Sequence, residues 1–312
     1  LRYPGASDYP GIWFTSDTWM IHNIVHCGHG VLPPLEIAAW RDLHRSTNGS
    51  GWTWCHANLV DPCSCNFTVQ GVVQGVSCKP PMNTRNKEEQ HITAINLPFN
   101  SLTGTLPPTL GALSALTSLQ LEGNALHSAA PKLTSLQNLT SLDLSGNNLS
   151  GELPIVSRRR AASFPRLRTL SLYMNSFSGC LASAFDANAF PSLVNLELDH
   201  NLLSGTLPPS LLHAAPLLYS LVLGSNKLSG TLPRREEWES LSALRVLDLR
   251  SNPFLHDVAP ALNWSQYDAY CGLESIDFKC PTPITSSWRE ARTLCGATCS
   301  AAGTAQVLPQ VT

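Results

Sequence analysis

The densest group of potentially catalytic residues lies in the segment LELDHN, which contains Glu197, Asp199 and His200. Paired carboxylates next to a histidine are the residue types of general acid–base catalysis. Because Glu197 and Asp199 alternate with leucines, both side chains are expected on the solvent-facing side of a short strand. No Ser or Cys nucleophile accompanies them in a strained turn, and an open sheet face does not exclude water from a reaction. The sequence therefore predicts a protein that is not an enzyme.

Residue types that bind metals occur in two places. His22 and His26 in HNIVHCGH are four residues apart, a spacing that would place both on one face of a helix. The segment has no helical patterning, so an irregular arm with exposed histidines is the favoured interpretation. The close cysteine pairs in CSC and CGATC do not form the two CxxC motifs of a typical zinc site. We therefore predict no metal ion and no other cofactor.

The ten cysteines indicate disulfides instead. Five precede the central part of the chain and four follow it. This distribution is expected of disulfides in two terminal caps of a protein from an oxidising compartment. Cys180 lies alone in the central part, and Cys27 is its candidate partner because the number of leading cysteines is odd. A bond to another chain and a free thiol are the alternatives for Cys180. The predicted disulfide cysteines are Cys27, Cys55, Cys63, Cys65, Cys78, Cys180, Cys271, Cys280, Cys295 and Cys299.

Five N-x-S/T sequences agree with secretion, because this motif is the acceptor for N-glycosylation. The predicted glycosylation sites are Asn48, Asn66, Asn138, Asn148 and Asn263. An extracellular or cell-surface location is therefore expected. No secretory signal is visible and the chain begins at Leu1, so a processed or truncated form is expected.

An internal repeat positions these side chains. The letters LSGTLP occur at 203–208 and again at 228–233, and near-copies occur elsewhere, each preceded by an Asn at a constant offset. Each Asn follows an apolar LxxLxL frame, as in LTSLQLEGN and LRVLDLRSN. The repeated asparagines are Asn100, Asn124, Asn147, Asn175, Asn201, Asn226 and Asn252, at successive spacings of 24, 23, 28, 26, 25 and 26 residues. A period of this length predicts a solenoid.

The frame explains the architecture. Alternation within LxxLxL predicts a short strand with every second side chain buried, and stacked coils let their leucines form one core. The Asn amide is expected to satisfy backbone groups of a buried turn, and the SGxLP half is expected to form an exposed outer turn. About eight coils are predicted over 92–280, with one fully buried column of Leu119, Leu142, Leu170, Leu196, Leu221 and Leu247.

The NxLSGxLP repeat resembles that of plant-type extracellular leucine-rich repeat proteins, which include receptor-kinase ectodomains and polygalacturonase-inhibiting proteins. Algal and protist surface proteins use similar repeats. The resemblance covers roughly 35–280. It implies an α/β fold: a leucine-rich repeat solenoid of about eight coils, with a concave parallel β-sheet and disulfide-stapled N- and C-terminal caps.

Segment 33–78 resembles the cap that precedes such arrays, with a helix followed by a Trp- and Cys-rich part. The resemblance implies a helix that starts at Pro33 and Pro34, ends at Asn48-Gly49, and packs inward through Ile37, Trp40 and Leu43. Trp52 and Trp54 are expected in the cap core, in preference to a sugar-binding platform. Between its last two cysteines this chain has the inserted letters NFTVQGVV.

The chain is expected to have five parts. They are an N-terminal arm (1–31), an N-terminal cap (32–91), the repeat array (92–272), a C-terminal cap (273–300) and a tail or linker (301–312). The SRRR run, with Arg158–Arg160, falls in the longest repeat spacing and is expected to be a solvated loop; a docking patch for an acidic partner or a cleavage site is the alternative.

The net charge of −2 and the 13% of charged residues argue against nucleic acid or an anionic membrane as the partner. The uncharged tract from Gly104 to Leu121 contains two prolines and lies on the repeat frame, so no membrane insertion by this segment is predicted. The favoured function is a recognition module that binds a protein, peptide or glycan ligand through its concave face. The alternative is a structural glycoprotein of a cell wall, surface coat or appendage, with neighbouring subunits of an extracellular assembly as its partners.

The candidate binding surface lies on coils four to seven. Outward positions of the early strands are mostly small or bland: Ser118, Gln120, Gly123, Ser141, Ser145 and Gly146. From coil four onward the same positions hold side chains of the types that anchor interfaces. The predicted ligand-binding residues are Tyr173, Met174, Glu197, Asp199, His200, Val222, Asp248 and Arg250.

Overall fold

The computed structural model describes residues 31–69, 72–80, 89–155, 164–185, 189–252, 254–257, 270–274, 276–279, 286–295 and 298–300. Several sequence predictions lie outside these residues: the metal-binding interpretation of the arm, the solvated SRRR loop, the tail, Cys27, Cys280 and Asn263.

The concave sheet contains eight parallel strands of the described chain, one from each coil, and we number the coils one to eight along it. The strands are β3 His91–Asn96, β5 Ser118–Gln120, β7 Ser141–Asp143, β9 Thr169–Ser171, β11 Asn195–Glu197, β13 Ser220–Val222, β15 Val246–Asp248 and β17 Tyr270–Gly272. The predicted leucine column lies in direct register, and each of its six members is at most 1% exposed. The predicted solenoid is confirmed.

An antiparallel hairpin extends the concave sheet at its N-terminal end. Strands β1 Asn66–Val69 and β2 Val72–Lys79 pair with each other, and β2 pairs with β3. The inserted letters of the cap supply β1 and the first two residues of β2. Two disulfides, Cys55–Cys65 and Cys63–Cys78, hold it to the preceding segment.

The SGxLP segments contribute strands to a second parallel sheet, which has nine strands in the described chain, so the expectation that this half forms only an outer turn was wrong. Its strands are β4 Thr103–Gly104, β6 Ala125–Ala129, β8 Asn148–Gly151, β10 Ser176–Cys180, β12 Leu202–Gly205, β14 Lys227–Gly230, β16 Phe254–Asp257, β18 Asp277–Lys279 and β19 Thr298–Ser300. In six of these strands the second residue is apolar and faces the core at no more than 1% exposure: Leu126, Leu149, Phe177, Leu203, Leu228 and Leu255. Glycines such as Gly205, with φ 79°, end these strands in a conformation that a side chain would strain.

The repeated asparagines tie each coil to the next. Asn201 donates through Nδ2 to the carbonyl oxygens of Leu172 at 2.9 Å and Leu198 at 3.1 Å, and its Oδ1 accepts the N–H of Phe177 at 2.9 Å. Asn226 and Asn252 repeat this pattern in the following coils. The predicted role of the Asn amide is confirmed, because it satisfies backbone groups of two coils at once.

Helices are short and lie mainly in the caps and on the convex side. They are α1 Pro34–Ser46, α2 Pro209–Ala214, α3 Arg235–Trp238 and α4 Ser286–Cys295, with single 3₁₀ turns at Gly49–Gly51, Pro62–Ser64, Pro108–Ala112 and Leu181–Ser183. In α1, Trp40 and Leu43 are fully buried and Ile37 packs at the edge of the core, as the cap resemblance implied.

The two cap tryptophans differ in exposure. Trp52 is buried and donates its indole N–H to the carbonyl oxygen of Thr47 at 2.9 Å. Trp54 is 45% exposed, so its expected place in the core was wrong. Its ring lies at the cap surface, 5.2 Å from the ring of Phe67.

The structure describes two further cysteine features, and the side chain of Cys299, like Cys27 and Cys280, lies outside the described part of the chain. Cys271 and Cys295 form a disulfide that fastens α4 to β17. Cys180 has a free, exposed thiol, so its assignment to a disulfide does not hold in the structure. The residue lies at the end of β10 with its sulfur over the backbone of Gly205, away from both caps. The predicted exposure of this position is confirmed.

Candidate binding face

Two rows of side chains cross the concave sheet. The first follows the strand register and contains Asn96, Gln120, Asp143, Ser171, Glu197, Val222, Asp248 and Gly272. The second lies two residues later in each coil and contains Pro98, Glu122, Ser145, Tyr173, Asp199, Gly224, Arg250 and Glu274. Because inward leucines alternate with these positions, both rows face the concave side.

The structure places the predicted ligand-binding residues in these rows or directly beside them. Met174 is 56% exposed, the His200 side chain is 54% exposed, and Tyr173, Glu197 and Val222 are half-buried. The members of coils four and five therefore form one group on the face. Asp248 departs from the expected outward position, because it is only 4% exposed.

Met174 and His200 occupy a left-handed backbone position directly before the repeated Asn. Their φ angles are 51° and 52°; coils two and three have Gly123 and Gly146 at the same place, and coils one, six and seven have Phe99, Ser225 and Ser251 there with φ angles of 48°, 53° and 54°. A bulky side chain in this conformation is uncommon and costs free energy that glycine avoids. Both side chains are thus presented to solvent at a cost to stability.

Asp248 and Arg250 form a compact group with Tyr270 at the C-terminal end of the face. The Nε atom of Arg250 lies 3.1 Å from Oδ2 of Asp248, and its guanidinium lies 5.7 Å from the centre of the Tyr270 ring. Glycines at 224 and 272 leave the space that Asp248 occupies, since a Cβ at either would lie about 3 Å from its Oδ1. Arg250 thus neutralises the carboxylate that is most deeply buried.

Sequence reasoning missed Glu122, Asp143, Tyr270 and Glu274. Glu122 and Asp143 contradict the expectation that the early strands are bland, because they occupy the same two rows as Asp199 and Glu197. The signal was present in the repeat frame itself, where Glu122 has the same offset from its Asn as Tyr173 and Asp199. Four carboxylates therefore belong to coils two to five.

Three carboxylates on this face have raised pKa values. Burial raises the pKa of Glu197 above 4.5, and the neighbouring Asp143 and Asp199 raise it further against a hydrogen bond from Ser171. Burial also raises the pKa of Glu122, with Asp143 contributing, and one oxygen of Glu122 is buried without a hydrogen-bond partner. Burial raises the pKa of Asp248 against the opposing effect of Arg250. The ionised forms of these three carboxylates are thus disfavoured by their surroundings on the face.

Hydrogen bonds within the face are local. Ser171 donates its hydroxyl to Oε2 of Glu197 at 3.0 Å, and Nδ1 of His200 lies 2.8 Å from Oδ2 of Asp199. In the described part of the chain, no group of three or more His, Cys, Asp and Glu side chains is arranged to hold a metal ion. Among the described helices, none is long and apolar enough to cross a membrane.

The predicted glycosylation sites within the described residues lie away from these rows. Asn48, Asn66 and Asn148 are exposed, on the cap, on the hairpin and on β8 respectively. Asn138 differs, because its Nδ2 donates to the carbonyl oxygen of Ser114 at 2.9 Å, a bond that a glycan would have to replace. These sites remain predictions.

Comparison with known proteins agrees with the repeat architecture. A family model described as Leucine Rich Repeat matches residues 138–157 and 192–214. Receptor-like protein 35 of Arabidopsis thaliana is 36% identical over 210 residues, covering 65% of this chain and 18% of the relative. Receptor protein kinase WSS1 of Oryza sativa subsp. japonica is 34% identical over 96 residues, covering 31% of this chain and 8% of the relative. The chain thus spans less than a fifth of either curated relative.

Among solved structures, the crystal structure of PEPR1-AtPEP1 is similar with a TM-score of 0.60 and 25% sequence identity. The match covers 79% of this chain and 32% of that chain.

Proposed function

The chain is a leucine-rich repeat protein of the plant extracellular type, and on that premise we propose that it is an extracellular recognition module that binds a protein or peptide through its concave face. The working residues are those of coils four and five, together with Asp143 of coil three and Glu122 of coil two. Both curated relatives are receptors by name, and the similar solved structure is that of PEPR1-AtPEP1.

The observation that carries the proposal is the crowding of carboxylates on an open sheet face. Burial raises the pKa of Glu197, and repulsion from Asp143 and Asp199 raises it further. In coils one to six, the two rows contain no lysine or arginine that would offset this repulsion. Residues that destabilise the fold and make no compensating structural interaction are typical of a functional site.

Selection from a phage-displayed library of random peptides on the purified protein tests the proposal. Enriched peptides should bind the protein and lose at least about tenfold in affinity to a variant with Tyr173→Ala and Asp199→Ala, since hot-spot truncations cost about 1.4 kcal/mol or more. A matched control carries Glu152→Ala and Thr206→Ala, which change exposed residues beside the second sheet. This control should bind with unchanged affinity.

Equal loss of binding in both variants, or unchanged binding in both, would contradict recognition by the concave face. Circular dichroism and thermal unfolding must show that the variants keep the fold. If the concave face is inert, sedimentation velocity of the native protein tests the structural alternative, which expects a large assembly built through the flanks of the solenoid.

A further inference from the structure

A second surface borders the concave sheet at the N-terminal edge of its strands in coils four to seven. In each of these coils an inward leucine lies between two outward positions, and all four leucines are fully buried: Leu167, Leu193, Leu218 and Leu244. We define the arginine flank as the outward side chains at these positions that are larger than serine: Arg166, Arg168, Val194, Leu217, Tyr219 and Arg245. Backbone N–H groups join its coils, from Val194 to Arg168 at 2.8 Å, from Tyr219 to Val194 at 2.8 Å and from Arg245 to Tyr219 at 2.9 Å. The flank is therefore one continuous surface.

Coil six exposes two large apolar side chains on this flank. Leu217 is 52% exposed and Tyr219 is 43% exposed. Val194 lies beside them in coil five and is half-buried. Apolar side chains with arginines at the ends of the group have the composition of a protein interface, in which tyrosine and arginine are enriched.

In the early coils, the position after the inward residue has a structural role. Thr117 donates its hydroxyl to the carbonyl oxygen of Thr93 at 2.8 Å, and Thr140 donates to that of Thr117 at 2.8 Å. The same position in coils four to six holds Arg168, Val194 and Tyr219, and within the described chain their side chains form no hydrogen bond in place of this one. Large exposed residues thus replace a stabilising interaction without a compensating contact, which is typical of a functional surface.

The flank has one sign of charge. Residues 164–169, 190–195, 215–220 and 241–246 contain three arginines and no aspartate or glutamate. Arg166 and Arg168 are exposed and form no ion pair with any described residue. Arg245 donates from Nη1 to the carbonyl oxygens of Ser242 at 3.0 Å and Leu244 at 2.9 Å. A partner with complementary charge is therefore acidic.

Predicted glycans border the flank without covering it. Asn138 of coil three occupies the position that Arg166 occupies in coil four, and the sequence has no N-x-S/T motif between Asn148 and Asn263. The exposed aliphatic side chain of Leu217 favours a protein partner over an anionic polysaccharide, which offers it no apolar group. We therefore propose that the arginine flank binds an acidic segment of a partner protein, with carboxylates on the arginines and an apolar side chain on Leu217 and Tyr219. This surface is separate from the two concave rows, so the inference does not depend on the proposed function.

Fluorescence polarisation with labelled synthetic peptides, at about 0.15 M salt, tests the inference. The probe is Ac-EEDEFLEDEE-NH2, and the control peptide Ac-EEDESGEDEE-NH2 has the same charge without the two apolar residues. The probe should bind at least about threefold tighter than the control peptide, because the apolar contact adds to the charge attraction. Leu217→Ser with Tyr219→Ser changes two exposed residues and should remove this difference.

A matched pair of charge-reversed variants separates the flank from the net charge. Arg166→Glu with Arg168→Glu should weaken the probe at least about tenfold, because attraction becomes repulsion. Lys132→Glu with Lys227→Glu changes the net charge equally at exposed residues away from the concave sheet, and should change the affinity by less than about twofold. The Tyr173→Ala and Asp199→Ala variant should bind the probe without loss. Circular dichroism must show that each variant is folded.

Failure of the probe to bind would overturn the inference, as would equal affinity for the two peptides or equal loss in the two charge-reversed variants. An alginate oligomer that binds tighter than the probe and is insensitive to Leu217→Ser with Tyr219→Ser would identify a polysaccharide surface instead. If the native protein self-associates, the probe does not bind and Arg166→Glu with Arg168→Glu is monomeric in sedimentation velocity, the flank is an interface between copies. Loss of the probe in the Tyr173→Ala and Asp199→Ala variant would place it on the concave face, which would overturn this inference and leave the proposed function standing.

Discussion

Removal of a single repeated Asn should destabilise the solenoid by an amount that follows from its hydrogen bonds. In the variant Asn201→Ala, the carbonyl oxygens of Leu172 and Leu198 each keep a donor, because Nδ2 of Asn175 lies 3.2 Å from the first and Nδ2 of Asn226 lies 3.0 Å from the second. The N–H of Phe177 loses its acceptor and lies in a fully buried residue. One buried N–H without a hydrogen-bond acceptor costs about 1–3 kcal/mol, so we expect a loss of about 2 kcal/mol in the free energy of unfolding.

Asn124→Ala provides an internal comparison. Its Oδ1 accepts two N–H groups, those of Asn100 at 2.9 Å and Leu102 at 3.0 Å. Two buried N–H groups without an acceptor predict a loss in the free energy of unfolding about twice as large as that of Asn201→Ala. Asn124→Ala also removes the hydrogen bond from Nδ2 to the carbonyl oxygen of Leu97 at 3.0 Å, which adds to the loss, so the ranking follows the number of orphaned backbone groups.

Urea unfolding followed by circular dichroism measures both losses, with Thr206→Ala as an exposed control expected to change stability by less than about 0.5 kcal/mol. The slope of the free energy against urea must stay constant for the comparison to hold. The reasoning is refuted if Asn201→Ala costs less than the control, or if Asn124→Ala costs no more than Asn201→Ala.

Three further outcomes are expected. Leu196→Ala removes a fully buried member of the leucine column and should cost about 2–5 kcal/mol in urea unfolding, and a loss below about 1 kcal/mol would contradict the continuous core. Glu197→Gln should raise stability at pH 7, because the pKa of Glu197 is raised in the folded state and its ionised carboxylate therefore weakens the fold. The gain in stability should vanish as the pH falls below 4.5, where the carboxyl group is protonated in both the folded and the unfolded state. A gain in stability that is independent of pH would refute this cause. Cys180 should be labelled by a maleimide in the folded, unreduced protein, as peptide mass spectrometry would show, and recovery of Cys180 in a disulfide would contradict its free thiol.

The repeat frame made the core and the Asn ladder predictable, because both depend on residues at fixed offsets within one coil. Leu221 and Asn226 illustrate this: their environments follow from the periodicity alone. The second sheet was missed because its strands are two to five residues long and rich in Gly and Ser, which resemble turn residues. Its pairing comes from stacking between coils and not from local strand propensity.

The binding face was predictable in part. The outward positions of Tyr173, Met174 and Glu197 followed from alternation with leucines. The burial of Asp248 did not, since it depends on glycines in the two neighbouring coils that let the carboxylate sink between strands. The outward positions of Glu122 and Asp143 also follow from the repeat frame, but the small residues around them in the early strands did not indicate a binding surface.

The two ends of the concave sheet determine how the molecule can grow. A parallel sheet with a free edge is a template on which a further coil, or another molecule, adds by the same hydrogen bonds. At the N-terminal end the antiparallel hairpin reverses the strand direction, so a parallel coil cannot continue from β1. At the other end the N–H of Leu273 bonds to the carbonyl oxygen of Cys295 at 2.8 Å, which seals the chain next to β17 with α4. Within the described residues, both ends of the concave sheet are therefore bordered by elements other than a further parallel coil, which hinders the stacking of another coil directly on the concave sheet.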